Sequence, residues 1–219
     1  MNLTRRSLLV SAGAAAATAA FPAAVTAQVA GSHWFAGVAD DSGFQYRLTN
    51  FNTVKPQWRR QMVKYLSPEP PGTIVIDTRN HFLYWIWENN TALRYGVGVG
   101  REGFQWFGYA RVDRKALWPR WVPPQEMRER QPDLPELVEG GAADNPLGPR
   151  ALYLHRDGRD LGYRIHGTLE PWSIGSDVSS GCIRMFPEDV VDLYQRTPKG
   201  TRALVLEHLG APARNIEAG

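Results

Sequence analysis

The chain has 219 residues, enough for one domain with a real hydrophobic core and too few for a second large domain. Its 8 Trp, 8 Tyr and 8 Phe, with 21 Gly and 16 Pro, favour a turn-rich, mainly β protein over a helical bundle. The net charge is only +3, with 25 Lys and Arg against 22 Asp and Glu, so nucleic acid is not expected as a partner.

Residues 1–27 have the features of an export signal. The paired Arg5 and Arg6 precede an Ala-rich apolar stretch that ends at Val25-Thr26-Ala27, a small-residue cleavage site. The arginine pair favours the twin-arginine route, although a general secretory signal remains an alternative. Because the apolar stretch is short and rich in Ala, no stable membrane anchor is expected. These features predict an exported, periplasmic protein.

Residues 28–70 are predicted to form an N-terminal extension and linker. The basic stretch 55–65 suits an amphipathic turn or helix with a solvated face. The segment 67–72 is rich in Pro and Gly, which is typical of a linker. A domain is therefore predicted to begin at residue 71, and the role of the extension is left open.

Residues 73–112 read as a β meander. Runs of β-branched and aromatic residues between turn residues indicate four strands, at 73–76, 81–87, 93–100 and 104–112. Gly96, Gly98 and Gly100 alternate along the third run, which suits a bulge or a close approach of two backbones. A phosphate-binding loop is disfavoured, because no helix follows these glycines in the required pattern.

The second half of the chain alternates a long loop with further strands. A brief helix is predicted at 125–130 and a loop at 131–150, whose length is typical of a lid or a binding loop. Further elements are predicted in chain order: strands at 151–155 and 163–166, a helix that begins at Pro187, a closing strand at 202–206 and a C-terminal tail at 208–219.

The only cysteine, Cys182, lies sixteen residues after His166 in a turn of small residues. A lone cysteine is more often a small buried hydrophobe than a reactive thiol. Here Ser179, Ser180 and Gly181 indicate a polar turn that keeps the sulfur near the surface, and a catalytic thiol needs such access. An exported protein that retains an unpaired thiol is also expected to use it.

The pair has the residue types of an acyl-transfer site. Cys182 is the candidate nucleophile and His166 the candidate general base and acid. The second ring nitrogen of the base needs an acceptor, for which the backbone carbonyl of Gly167 is predicted. The amides of Ser180 and Gly181 are predicted to face a developing oxyanion.

Two neighbours of the turn are candidate substrate-binding residues, namely Ser179 and Arg184. A guanidinium can hold a substrate carboxylate through two parallel hydrogen bonds, although a structural ion pair is an equally good interpretation of Arg184. A zinc site built from His155, His166 and Cys182 is disfavoured, because the closely spaced ligand pairs of zinc motifs are missing. We predict neither a metal nor another cofactor.

The motif resembles the signature of the YkuD-type L,D-transpeptidase catalytic domain. That signature is a His-Gly pair followed about sixteen residues later by Ser/Thr-x-Gly-Cys, a hydrophobic residue and Arg or Asn, matched here by His166-Gly167 and Ser179–Arg184. The likeness covers about 71–207. Two positions depart from the family: Ser180 replaces a second His found in many members, and Pro187 stands where close relatives favour Asn. Four upstream segments share the likeness: 71–77, 94–100, 118–124 and 145–148.

The resemblance implies a β-sandwich with a short helix after the cysteine, acting on peptidoglycan stem peptides. Cys182 would attack the third stem residue, expel the terminal D-alanine and pass the acyl group to an amine. If the amine belongs to a second stem peptide, the product is a 3-3 crosslink. If it belongs to an outer-membrane protein or lipoprotein, that protein becomes attached to the wall. Inactivation by carbapenems is also implied.

Other interpretations remain beside this one. With water as the acceptor, the same chemistry makes a carboxypeptidase or hydrolase. A non-catalytic wall-binding protein is disfavoured because His166, Gly181, Cys182 and Arg184 are all present. Sortase-like transpeptidases also order His, Cys and Arg, but their His lies much farther from the Cys than it does here. Papain-like enzymes place Cys before His, the reverse of this chain. The natural acceptor and the oligomeric state are left open.

Overall fold

The computed structural model describes residues 33–101 and 106–207. The predicted export signal at 1–27 and the predicted tail at 208–219 lie outside these residues. In the described part of the chain, no helix combines the length and apolar character needed to cross a membrane. All of the described residues belong to one compact unit.

Strands dominate the described residues, so the mainly β prediction is confirmed. The two α-helices are α1 (Gln125–Arg130) and α2 (Pro187–Arg196). The strands are β1 (Phe35–Asp41), β2 (Phe44–Thr49), β3 (Gln61–Lys64), β4 (Ile74–Asp77), β5 (Phe82–Ile86), β6 (Thr91–Gly96), β7 (Val99–Gly100), β8 (Gly108–Leu117), β9 (Arg150–Arg156), β10 (Arg159–Gly167), β11 (Asp177–Ser179), β12 (Ile183–Met185) and β13 (Thr201–Val205).

Nine of these strands form one mixed sheet, in the order β12-β10-β9-β8-β13-β4-β5-β6-β3. Most neighbours are antiparallel, but β10 pairs with β12 and β13 pairs with β4 in parallel. Tyr95 on β6 and Ile183 on β12 come from opposite halves of the sheet, yet both belong to the same buried core. The sheet therefore folds over on itself around that core, as the predicted sandwich requires.

Side chains alternate between two apolar layers along the strands. Ile74 and Ile76 of β4 are buried in the main core, whereas Val75 between them belongs to a second cluster. The second cluster covers the other face of β3 to β6 and includes Tyr65 and Tyr84, whose rings stack 4.2 Å apart. This period of two is the side-chain pattern of a β-strand that is buried on both faces.

The segment predicted as an extension and linker packs within the same unit. The β1–β2 hairpin meets α2, where the backbone N–H and the hydroxyl of Thr49 both donate to the Glu188 carboxylate. Its Asp41 holds Arg150 through two hydrogen bonds of 2.6 and 2.7 Å. Strand β3 closes the edge of the nine-stranded sheet by pairing with β6. Residues 67–72 are therefore a connection inside one unit.

The basic stretch 55–65 does not form a helix. Only Pro56–Trp58 makes a single 3-10 turn, and Gln61–Lys64 then becomes strand β3. Proline fixes φ for the first helical position but supplies no N–H. The alternation that buries Val63 between exposed neighbours then favours pairing with β6. Of the two predicted alternatives, the turn is correct and the helix is wrong.

Helix α2 begins at Pro187, as predicted, and buries Val190 and Leu193 in the main core. Its first turn also buries Asp189, whose nearest cation is Arg60, with Nε 3.7 Å from Oδ1. The Oδ2 atom has no hydrogen-bond partner among the described residues. Burial is the main cause that raises the pKa of Asp189 to about 7.

The raised pKa of Asp189 makes stability depend on pH in a defined direction. Folding favours the protonated carboxyl, so this contribution is present below the unfolded pKa of about 3.9 and is lost as the pH rises through about 7. Asp189→Asn cannot ionise, so it does not lose this contribution. The difference in unfolding free energy between the variant and the wild type should therefore shift in favour of the variant by on the order of 3 kcal/mol from pH 4 to pH 8. Urea unfolding at both pH values measures this difference.

Asp133→Asn is the matched control, because Asp133 is exposed. Its unfolding free energy should follow that of the wild type at both pH values. If Asp189→Asn also keeps a constant offset from wild type, the buried carboxyl does not titrate in this range.

Candidate active site

The parallel pairing of β10 with β12 brings the two halves of the motif together. Its register places Ile165 beside Ile183 and His166 beside Arg184. Both isoleucines point into the main core. Because successive side chains alternate across a strand, His166 and Arg184 lie on the opposite face. Cys182 directly precedes β12 and shares that face, level with Arg164 and two residues from His166 along the strands.

The Cys182 thiol lies against the backbone of β10. Its sulfur accepts a hydrogen bond from the backbone N–H of Arg164, and the residue is partly exposed. Burial raises the pKa of the Cys182 thiol, and the Arg164 N–H with the charges of Arg164 and Arg184 opposes this effect without cancelling it. At neutral pH the sulfur is therefore held mainly as a thiol, and it needs a base to become a nucleophile.

His166 is buried and its ring is fixed by its neighbour. Nδ1 lies 2.5 Å from the carbonyl oxygen of Gly167, the acceptor named in the sequence analysis. A carbonyl can only accept, so Nδ1 carries the proton and Nε2 is the basic nitrogen. Burial lowers the pKa of His166 to about 4, with Arg184 and Arg164 adding to the effect. The imidazole is consequently neutral at physiological pH.

The turn before Cys182 is braced by its own serine. Gly181 has φ of +105°, a backbone conformation that favours glycine. Its N–H donates to Ser179 Oγ at 3.1 Å, and that hydroxyl donates to the Cys182 carbonyl at 2.6 Å. The Gly181 amide, predicted as an oxyanion donor, is thus engaged within the turn. Ser179 is buried with its hydroxyl proton in use, so it shapes the turn.

The other predicted residues of the turn face the surface. Ser180 Oγ accepts a hydrogen bond from Arg130 at the end of α1, at 3.3 Å. Helix α1 directly precedes the stretch 131–150 predicted as a lid or binding loop, and the end of this helix touches the cysteine turn. Arg184 Nη1 lies 2.5 Å from Glu170 Oε2, which shows the ion pair that was one of its two interpretations. Sequence reasoning missed Glu170, since no motif marks it.

The loop between the base and the nucleophile is held by residues from the N-terminal segment and from β6 to β7. A Cβ atom at Gly175 would lie 2.6 Å from the Trp58 ring, and one at Gly98 would lie 2.8 Å from the Ser173 carbonyl oxygen. Gly98 also exchanges both backbone hydrogen bonds with Arg184. The close backbone approach predicted for the alternating glycines is therefore confirmed.

His155 lies away from the thiol. It pairs with Asp160 and Arg111 across the sheet, whereas His166 pairs with Ala151 on the same strand β9. Ala151 and His155 are four residues apart, so the position of His166 and that of His155 lie about 13 Å apart along β9. No group of three candidate metal ligands occurs among residues 33–101 and 106–207.

The catalytic-domain model of the YkuD L,D-transpeptidases matches residues 71–205, which is more than half of the chain. The chain belongs to the L,D-transpeptidase family. The match contains β10, the cysteine turn and β12, so the pairing described above lies within the family's catalytic domain.

Two relatives show how far the likeness extends. The candidate L,D-transpeptidase YqjB of Bacillus subtilis is 48% identical over 162 residues, which cover 72% of this chain and 82% of YqjB. The probable L,D-transpeptidase YbiS of Escherichia coli K12 is 33% identical over 144 residues, 62% of this chain and 44% of YbiS. The chain therefore spans less than half the length of that relative.

A solved structure described as a probable carnitine operon oxidoreductase from Brucella melitensis is 45% identical to the chain. It covers 72% of this chain and 99% of its own, with a TM-score of 0.47. The activity in that description is stated of the Brucella protein.

The neutral state of the Cys182 and His166 pair predicts how the thiol reacts with pH. A thiolate paired with an imidazolium would alkylate at a constant rate down to acidic pH, whereas a thiol with a raised pKa reacts faster as the pH rises. The rate of Cys182 alkylation by iodoacetamide should therefore still increase between pH 7 and pH 9, followed by mass spectrometry. A plateau that begins below pH 7 contradicts the neutral pair.

Trp58 is predicted to position the loop that follows the base. Trp58→Ala removes the ring that fills the space over Gly175, so the loop carrying Glu170 is free to shift. We expect the alkylation of Cys182 at pH 8 to change roughly tenfold in the folded variant, because small displacements of reacting groups carry large rate effects. Trp58→Phe keeps an aromatic ring and should restore most of the wild-type rate.

Trp87→Ala serves as the control, because Trp87 is 40% exposed and stacks on Trp85 away from the loop. Near-UV circular dichroism checks that each variant is folded. Equal alkylation rates for folded Trp58→Ala and wild type would show that this contact does not position the site.

Proposed function

We propose that the chain is a cysteine-dependent L,D-transpeptidase that acts on peptidoglycan stem peptides. One observation carries the proposal: the sulfur of Cys182 lies against strand β10, which also presents His166 with its Nδ1 proton fixed on Gly167. A nucleophile, an oriented base and a partly exposed thiol are the parts that acyl transfer needs. Family membership supports the assignment of the reaction.

The first half of the reaction forms a thioester. Nε2 of the neutral His166 takes the thiol proton while the Cys182 sulfur attacks the carbonyl carbon of the third stem residue. The carbon–nitrogen bond to the terminal D-alanine then breaks, and His166 returns the proton to the departing amine. Because His166 has a pKa of about 4, its imidazolium is a strong acid and releases that proton readily.

The second half transfers the acyl group. An amine attacks the thioester carbon and loses a proton to Nε2, and the sulfur leaves as the thiol by regaining that proton. A stem-peptide amine gives a 3-3 crosslink, an amine of an outer-membrane protein or lipoprotein gives wall attachment, and water gives hydrolysis. The residues around Cys182 are the same in each case.

Charge at the reacting carbonyl needs donors other than the Gly181 amide. Gly181 donates within the turn, so we assign the oxyanion to the amides of Cys182 and Ser180, the other two amides of the turn. Arg184 is proposed to bind a substrate carboxylate. Glu170 approaches its Nη1 atom, and a guanidinium has five N–H donors, so further donors are available to a ligand.

The proposed location follows from the first residues of the chain. We propose export to the periplasm through a twin-arginine signal at 1–27 and action at the cell wall. Carbapenems are proposed to acylate Cys182, because a strained cyclic amide is an acyl donor for the same thiol.

The proposal predicts that the mature chain releases D-alanine from a stem tetrapeptide. Cys182→Ala removes the attacking atom and should abolish release, whereas His166→Ala should slow it roughly 10²- to 10⁴-fold through loss of the general base. A coupled D-amino-acid oxidase assay measures D-alanine. His33→Ala is the matched control and should release D-alanine at the wild-type rate, since His33 is exposed and lies outside β10, β12 and the turn before Cys182.

Release that persists in Cys182→Ala would overturn the cysteine mechanism. The products distinguish the acceptors: crosslinked dimers identify an amine, and free tripeptide identifies water. A mass increase at Cys182 after exposure to a carbapenem, absent in Cys182→Ala, tests the thiol without any stem peptide.

A further inference from the structure

A row of cationic and imidazole side chains crosses three neighbouring strands. Arg202 on β13 pairs with Arg111 on β8, and Arg111 pairs with His155 on β9. Paired positions on neighbouring strands place side chains about 5 Å apart on one face. Like charges directly opposite each other destabilise a sheet, so the arrangement is costly unless an anion lies over it.

The row forms the floor of an open groove of about 580 Å³. Arg156 adds a third guanidinium, and two carboxylates, Asp113 and Asp157, also line the walls. Within the described residues, Arg111 forms no salt bridge and donates only to the Gly200 carbonyl oxygen. Arg156 donates to two more carbonyl oxygens, those of Tyr109 and Phe107. Two guanidiniums of the groove therefore have no ion pair with a carboxylate in these ranges.

One carboxylate of the chain already binds at the edge of this groove. Glu69 accepts hydrogen bonds from Tyr109 at 2.7 Å and from Arg202 at 3.2 Å. The Glu69 side chain is 6% exposed, so a peptide carboxylate is held there with little access to water. Arg202 at the edge of the groove thus binds an acidic side chain. Arg111 beside it has the same guanidinium group but binds no carboxylate within the described residues.

The groove shares a face with the thiol. On β9, Leu152 and Leu154 point into the main core, so Ala151 and His155 lie on the opposite face. Ala151 pairs with His166, which places the His155 end of the groove about 13 Å along β9 from the base. A chain of four or five extended residues that leaves the thiol can span this distance.

We propose that the groove formed by Arg111, His155, Arg156 and Arg202 is a second binding site, for an acidic peptide segment whose chain continues to Cys182. The inference rests on the proposed function for the identity of that chain as a substrate of acyl transfer. Carboxylate side chains two residues apart on an extended peptide lie about 7 Å apart on one side, so one can meet Arg111 while the next meets His155 or Arg202, the two residues paired with it.

A pentaglutamate peptide is the probe for this site. Titration into the ¹⁵N-labelled chain in low salt should shift the amide resonances of Arg111 and His155 saturably, and added NaCl should weaken the binding because the contacts are ionic. Arg111→Glu should raise Kd roughly tenfold or more, through loss of a charge-assisted pair and gain of repulsion. Arg111→Lys keeps the charge and should fall between the two.

Arg79→Glu is the matched control, because it makes the same charge change at an exposed turn outside the groove and should leave Kd unchanged. Absence of binding, or an equal loss with Arg79→Glu, overturns the site. Inorganic phosphate that binds as tightly as the peptide overturns the peptide assignment in favour of a general anion site. Cys182→Ala should bind the probe like wild type, so failure of the groove and failure of the acyl-transfer proposal are separable.

Discussion

The parallel pairing of β10 with β12 is the constraint on which the site depends. It sets Cys182 beside Arg164 and two residues from His166 along the strand, with the flanking isoleucines anchored in the core. Parallel strands cannot be joined by a tight hairpin, so a long connection must run from the base to the nucleophile. That connection carries Glu170 and is fixed from outside by Trp58 at Gly175 and by Gly98 at the Ser173 carbonyl. Residues that precede the family match thus support its reacting groups.

Burial then decides the protonation states of the pair. It raises the pKa of Cys182 and lowers that of His166, so both groups are neutral when the pH is near 7. A hydrogen bond from Arg164 to sulfur and one from His166 to Gly167 orient the groups without charging them. Proton transfer must therefore accompany the attack of sulfur on carbon. The low basicity of the imidazole weakens it as a base in the first step and makes its conjugate acid effective in the next.

Sequence patterns were sufficient where local chemistry decides the structure. The β-branched run at 73–76 predicted β4, the Pro-Glu-Asp start predicted α2, and the alternating glycines predicted a backbone contact. Patterns failed where partners are distant in sequence. Strand β3 exists because β6 offers an edge, and β12 has three residues that pair with β10 and, at Arg184, with Gly98. The engagement of Gly181 by Ser179 depends on the conformation of one turn, and Glu170 is defined by its contact with Arg184. Neither of these two contacts leaves a periodic pattern in the sequence.

The state of His166 is the most direct test of the neutral pair. Selective ¹⁵N labelling of histidine and NMR titration of the full chain report the protonation of each ring nitrogen. The structure predicts a neutral ring at pH 7 with the proton on Nδ1, and an ionisation near pH 4. An imidazolium at pH 7 that loses its proton only above pH 8, together with a Cys182 thiolate, would contradict it.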